Sequence, residues 1–251
     1  MFKSGIGGGD ADRITLRGYD LVEDLVDKHD FVDVLCLTVT GAFPDANQRR
    51  MINMFLVTAT DHGLTPSALA TRLTLHGAPE SLQGAVAAGL LGAGSRYLGV
   101  SEYAARFMQR HLAEFKARQG PAEGDMDAYA DIVVSAERKA GRRMPGFGHP
   151  IHVEADPRSA KVLRMAKECG YAGEHCRFAL ALSEAAGRAS GKPVPLNAAG
   201  AKAAVMLDMG MSPEFGKGLT LIARVAGLLA HILEEREQPI SQAVWDAARA
   251  S

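Results

Sequence analysis

A surplus of charge of either sign is what this sequence most plainly lacks. Its 28 Lys and Arg stand against 29 Asp and Glu, a formal net charge of −1, and the basic residues are scattered rather than run together. No basic face is laid out for a polyanion, so nucleic acid is excluded as an expected partner. Long apolar runs are lacking too. The longest, at 84–93 and 225–233, are too short to cross a bilayer, and no membrane association is expected. The opening MFKSGIGGGDADR has no apolar core of the kind a secretory leader needs. Cysteine is scarce: Cys36, Cys169 and Cys176 form neither a CxxC pair nor an even-numbered framework. That pattern fits a reducing compartment and a cytoplasmic location. Cys169, His175 and Cys176 match no common zinc spacing, so no metal is expected. Period-2 alternation long enough for a central sheet is missing, and so is any internal repeat.

What is there reads as helix. With 251 residues, 47% hydrophobic and 23% charged, the chain can bury a continuous core. The GIGGG stretch fits a phosphate loop or a flexible arm; no apolar strand precedes it, which favours the arm. A short extended entry is expected next, then two helices. Leu21, Leu25 and Val26 form the first apolar stripe, Val34, Leu35, Leu37 and Thr38 begin the second, and Gly41 and Pro44 close it. Further helices are predicted over 46–59, from Thr65-Pro66-Ser67 onward, over 101–118, 127–140, 158–169, 173–190, 199–210 and 217–235, with a short tail last. The small-residue stretch 81–99 predicts a helix at a tight packing or subunit interface. Residues 119–125 read as a loop. The fold class is all-α.

The least helical stretch is RRMPGFGHPIHVEADPRS, with Pro145, Pro150 and Pro157 and two glycines in one rigid loop. Gly146 and Gly148 let a ligand approach the backbone without a Cβ in the way. His149 presents an imidazole fixed by the following proline, and Arg158 a guanidinium suited to a carboxylate. On its own the loop fits equally a structural element, with the histidine capping a helix and Arg158 paired to Asp156.

PGFGHP followed at this offset by DPR resembles the signature of the citrate synthase superfamily. Arg17-Gly18-Tyr19-Asp20, Gly41-Ala42-Phe43-Pro44, Asp61-His62, Asn197–Gly210, and Arg224 with Gly227 and His231 resemble further elements of it, over about residues 13–239. The short form is similar to stand-alone citryl-CoA lyases and the lyase module of ATP-citrate lyase. The resemblance implies a large helical domain (1–157 and 211–251) and a small helical domain (158–210) closing over a cleft. It implies a homodimer as well. The substrates it implies are a small dicarboxylic keto acid and a coenzyme A thioester, joined or parted at a C–C bond. His149 would be the catalytic donor to the keto oxygen, and His62, Arg158 and Arg224 would hold carboxylates. Pro145, Gly146, Phe147 and Gly148 would carry the CoA ester. No metal is implied.

The same alignment shows two departures. Ala199 stands where relatives place the carboxylate that takes the acyl proton, and Leu98 where they place an enolate-stabilising histidine. Neither side chain can exchange a proton or donate a hydrogen bond, which leaves a non-catalytic dicarboxylate- or acyl-CoA-binding regulatory protein as the alternative function. A partner subunit completing a site on another chain is a third. A carboxylate-binding arginine near the C-terminus is replaced by Gln238, with Arg236 close by. Among stand-in bases, His76 and Glu80, which fit core or capping roles better still, rank above Lys202, which lies about 60° off around the helix, and Asp208, about 13 Å further along it.

Overall fold

The computed structural model describes residues 4–94, 96–119, 125–149 and 153–250. The loop expected at 119–125 falls largely outside the described residues, as does Pro150. Helices dominate the fold, as predicted, and most start on a side-chain cap. Asp30 accepts from the Asp33 N–H to start α1 (Phe31–Thr40), which Gly41 ends at φ 84°. Thr65 caps α3 (Pro66–Gly77), Asp156 caps α7 (Pro157–Glu168) and Ser212 caps α10 (Pro213–Glu237), each with proline at the first turn. Proline there gives up an N–H that the helix would not have bonded. Asn197 accepts from the N–H groups of Ala199 and Gly200 to start α9 (Ala198–Asp208). The remaining helices are α2 (Ala46–Ala59), α4 (Leu82–Leu91), α5 (Val100–Gln119), α6 (Met126–Lys139), α8 (Glu174–Ser190) and α11 (Ser241–Arg249).

The chain divides into two compact units, one up to Met54 and one from Phe55. The first unit departs from expectation. The GIGGG stretch is not an arm: β1 (Gly7–Gly9) pairs antiparallel with β2 (Ile14–Leu16), and β2 with β3 (Tyr19–Asp20). Arg17 at φ 52° and Gly18 at φ 89° form the two-residue hairpin turn between β2 and β3, where both positions need positive φ. The Arg17 guanidinium is anchored on the Thr38 carbonyl at 2.7 and 2.9 Å. The first of the two predicted helices is only a π-helical turn, Leu21–Leu25, capped by Asp20. Glycine strands carry no side-chain period, so this small sheet leaves no pattern to read.

In the second unit α9 is the central helix, packing on α5, α7, α8 and α10, while α10 also packs on α3 and α4. The helix predicted through 81–99 ends at Leu91. Its close approach is made within the chain, since a Cβ at Gly89 would fall 2.1 Å from Thr71 Oγ1 and 2.7 Å from Leu228. The expected C-terminal tail is helical: Glu235 accepts from the N–H groups of Ile240 and Ser241 and so starts α11. By length and composition alone α10 could cross a membrane. In this fold it lies against four helices and buries Arg224, His231 and Glu235 along its inner face.

Candidate functional site

α10 builds one wall of a cleft by gripping the corner after α2. Arg224, Gly227 and His231 lie on one face at spacings of three and four residues. The Arg224 Nε and Nη2 both donate to the Ala59 carbonyl at 3.1 Å. A Cβ at Gly227 would fall 2.2 Å from the Thr60 carbonyl oxygen, so the corner sits directly on the helix. His231 Nε2 meets Asp61 Oδ1 at 3.0 Å, and Asp61 Oδ2 accepts from the Gly63 N–H at 2.7 Å. Behind it, Arg72 donates to His231 Nδ1 and pairs with Glu234 and, at 2.9 Å, with Glu235. A ring nitrogen that accepts from a guanidinium is unprotonated, so His231 carries its proton on Nε2 and donates it to Asp61. The corner so fixed presents His62 to the cleft.

The PGFGH loop forms the facing wall. It is zipped to the start of α9: the Asn197 N–H donates to the Gly146 carbonyl at 3.0 Å, the Gly148 N–H to the Pro195 carbonyl at 2.8 Å, and Asn197 Nδ2 to the Gly148 carbonyl at 2.9 Å. Gly146 (φ 91°) passes so close to α9 that a Cβ at Gly200 would fall 2.3 Å from its carbonyl oxygen. Asp156 then joins the starts of α7 and α9. It accepts from the backbone N–H groups of Arg158 and Ala198 and from Arg158 Nε and Nη2, all at 2.9–3.0 Å. Desolvation works to raise its carboxyl, but these donors outweigh it and hold the group down at about 2. Arg158 Nη2 also lies 3.2 Å from His149 Nε2. Read as that donation, the neutral ring carries its proton on Nδ1.

The cleft, about 330 Å³, is lined by His62, His149, Arg158 and Arg224 together, the four side chains singled out from the sequence. Arg158 and Arg224 each spend the Nε/Nη2 edge on protein oxygens, which leaves Nη1 without a protein acceptor among the described contacts. The pairing of Arg158 with Asp156, one of the two readings of the sequence, is present alongside the cleft position and orients the guanidinium. Pro145, Gly146, Phe147 and Gly148 do not line the cleft; they carry His149 to it.

Leu98 and Ala199 both line the cleft, and Leu98 is held at φ 65°, a left-handed conformation costly for a bulky residue. The favoured substitutes fail on position. His76 sits edge-on to Trp245 at the end of α3, and neither it, Glu80, Arg236 nor Gln238 lines the cleft. Asp208 is spent on α8, accepting from the N–H groups of Gly173, His175 and Cys176 and pairing with the His175 ring at 2.9 Å. Lys202, ranked lower, is in the cleft with its Nζ 3.2 Å from Thr58 Oγ1. The signal was available: residues 199 and 202, three apart, are neighbours on a helix surface. Arg96 and Thr220 also line the cleft and were missed. Among the described residues no cluster of metal-ligating side chains occurs.

A mostly helical protein with a cation-rich cleft between a histidine-bearing loop and a long core helix is thus defined. Residues 42–243 match the family described as citrate synthase, C-terminal domain. The chain belongs to the citrate synthase family. A structure of citryl-CoA lyase from Hydrogenobacter thermophilus superposes with a TM-score of 0.81 at 34% identity, over 94% of this chain and 87% of that one. ATP citrate lyase from Methanothrix soehngenii, in complex with citrate and coenzyme A, shares the fold at a TM-score of 0.76 and 22% identity, over 94% of this chain and 39% of that one. A putative citrate synthase 2 of Mycobacterium tuberculosis is 30% identical over 213 residues, 80% of this chain and 53% of that protein. The chain spans about half the length of the curated relatives it matches.

Proposed function

We propose that the protein acts on a coenzyme A thioester and a dicarboxylic keto acid, cleaving or forming the C–C bond between them in the manner of a citryl-CoA lyase. The observation that carries this reading is the convergence of His62, His149, Arg158 and Arg224 on one cleft. Guanidinium groups pair with carboxylates in fork geometry, and an imidazole N–H polarises a carbonyl. Arg158 and Arg224 are pre-oriented by Asp156 and by the Ala59 carbonyl, so little side-chain freedom is lost when a dicarboxylate arrives. His149 acts at the keto oxygen, and the 145–148 loop lies along the CoA ester. Segment 158–210 brings Arg158, Asn197, Ala199 and Lys202 to the cleft, which suits a small lobe that closes on the ligand. A homodimer in the cytoplasm belongs to the same reading.

The specific observation favouring the second reading, binding without turnover, is that Leu98 and Ala199 line the same cleft. The test is incubation with citryl-CoA, and separately with oxaloacetate plus acetyl-CoA, following the CoA ester in wild type and His149→Ala. Cleavage reduced about 10²-fold or more by the substitution supports the enzyme. Thermal stabilisation by citrate or oxaloacetate without any turnover supports the binding protein.

A further inference from the structure

Cleaving a citryl-type thioester releases an enolate, and something in the cleft must steady its oxygen and protonate its carbon. Ala199 and Leu98 can do neither. Arg96, Arg158 and Arg224 stay protonated at any working pH and exchange no proton. We propose that Lys202 is a catalytic residue of this cleft, its ammonium stabilising the departing thioester enolate and donating the proton that completes the acyl product. The proposal rests on the function given above.

Geometry puts the amine there. Lys202 follows Ala199 by one turn of α9, and both line the cleft. Its Nζ donates to Thr58 Oγ1, and among the described residues no carboxylate forms a salt bridge with it. Asp156, the acid nearest in effect, is already committed to Arg158 and to the N–H of Ala198. A small, largely apolar hollow lies beside Lys202, lined also by Phe55, Ala203, Met206 and Leu219. The charged and titratable groups that share its cleft are Asp61 and His62 from the corner, Arg96 and Tyr97 before α5, His149 and Arg158 from the facing wall, and Arg224 from α10. Desolvation first, then Arg158 and Arg224, bring the amine down from 10.5 to about 8, against the weaker pull of Asp156. Near neutral pH such a group rests as an ammonium that gives up its proton readily. An ionised carboxylate rests as a base; this ammonium rests as an acid, which suits cleavage over condensation.

The step balances. His149 takes the tertiary hydroxyl proton on Nε2, the nitrogen Arg158 gives up when it turns to the ligand carboxylate, as the C–O bond becomes the keto carbonyl. The C–C electron pair leaves to the acyl α-carbon as the thioester enolate, and the Lys202 ammonium gives that carbon its proton. One proton then passes from the His149 imidazolium to the Lys202 amine through solvent, and both groups are restored.

The test is citryl-CoA cleavage from pH 6 to 10 by wild type, Lys202→Arg and Lys202→Met. Wild-type kcat/KM should fall above about pH 8 as the acid form is lost. Lys202→Arg keeps a charge but exchanges no proton, so it should lose about 10²-fold or more in kcat and lack that limb. Both variants should still be stabilised thermally by citrate, which shows them folded. Lys202→Arg within fivefold of wild type overturns the proposal, leaving Lys202 a carboxylate-binding charge. A wild type that cleaves nothing overturns the function and this role together. An active wild type with an equally active Lys202→Arg overturns this role alone. Independently of turnover, competitive acetylation mapped by peptide mass against pH should show Lys202 titrating near 8. Titration with the surface lysines overturns the proposal.

Discussion

Gly200 and Gly146 decide how closely the PGFGH loop can lie on α9. A Cβ at Gly200 would fall 2.3 Å from the Gly146 carbonyl oxygen, a clash with backbone that no rotamer relieves, and 2.7 Å from the Leu196 Cδ1 atom. Gly200→Ala is therefore expected to cost about 1–3 kcal/mol. It should also displace His149, read as a lower melting temperature together with weaker protection by citrate. Gly148→Ala meets nothing within 4 Å and pays only for φ 76°, so its cost should be nearer 1 kcal/mol. Chemical denaturation of the two variants checks the order. The residues of the PGFGH loop, His62, Arg158 and Arg224 were legible because their types and spacing carry meaning by themselves. Lys202 was legible only in its spacing from Ala199, because an isolated lysine on a helix looks solvent-facing until the partners of that face are known. His76 and Glu80 looked better because HGAPES reads as the loop that opens the small-residue helix, and loops carry function more often than helix faces.

At the scale of elements, the cleft depends on helix starts, and Asp156 holds two of them. Its side chain is fully buried against Arg158, and its carboxyl titrates at about 2 rather than 3.8. A folded value below the unfolded one gives stability that is complete above about 3.8 and lost as pH falls through about 2, in total about 2 kcal/mol. Asp156→Asn keeps a good capping side chain but removes the charge. Its urea stability should be lower than wild type at pH 7 and converge on it between pH 4 and 2. A difference that stays constant with pH would contradict this account. The second element-level device is the buried network beneath the 59–62 corner. Arg72→Met leaves Glu235 and His231 Nδ1 without their guanidinium donor in a dry site, a cost of about 3–5 kcal/mol visible in thermal unfolding. Most helices were legible from caps and periodicity. The β1–β3 sheet was not, since two of its three strands are too short or too glycine-rich to show alternation. α11 was hidden because its start is capped by Glu235 from the preceding helix rather than by a residue of its own.

At the scale of the whole molecule, the all-helical fold was legible because its connecting loops carry motifs specific enough to identify the family, whereas assembly depends on surfaces that a single sequence does not label. α4 shows the difference. Gln83 is its only polar side chain, and a helix apolar on all sides is normally buried on all sides. Here Ala85 and Gly89 face α3 and α10, while Gln83, Ala87 and Leu91, spaced four apart, form the exposed line, with Leu91 87% exposed. At ten residues the helix is too short to span a bilayer. The small residues, read as a tight-packing or subunit interface, thus do their close packing within the chain, and it is the outer Gln83–Ala87–Leu91 line of α4 that suits a two-fold contact with a second copy. Sedimentation velocity should give a species of twice the 26.6 kDa chain mass for wild type. Leu91→Glu, which adds a charge at the most exposed point of that face and touches neither the core nor the cleft, should sediment as a monomer with its helical content unchanged. A variant that remains dimeric would move the interface away from α4, and a monomeric wild type would remove the dimer altogether.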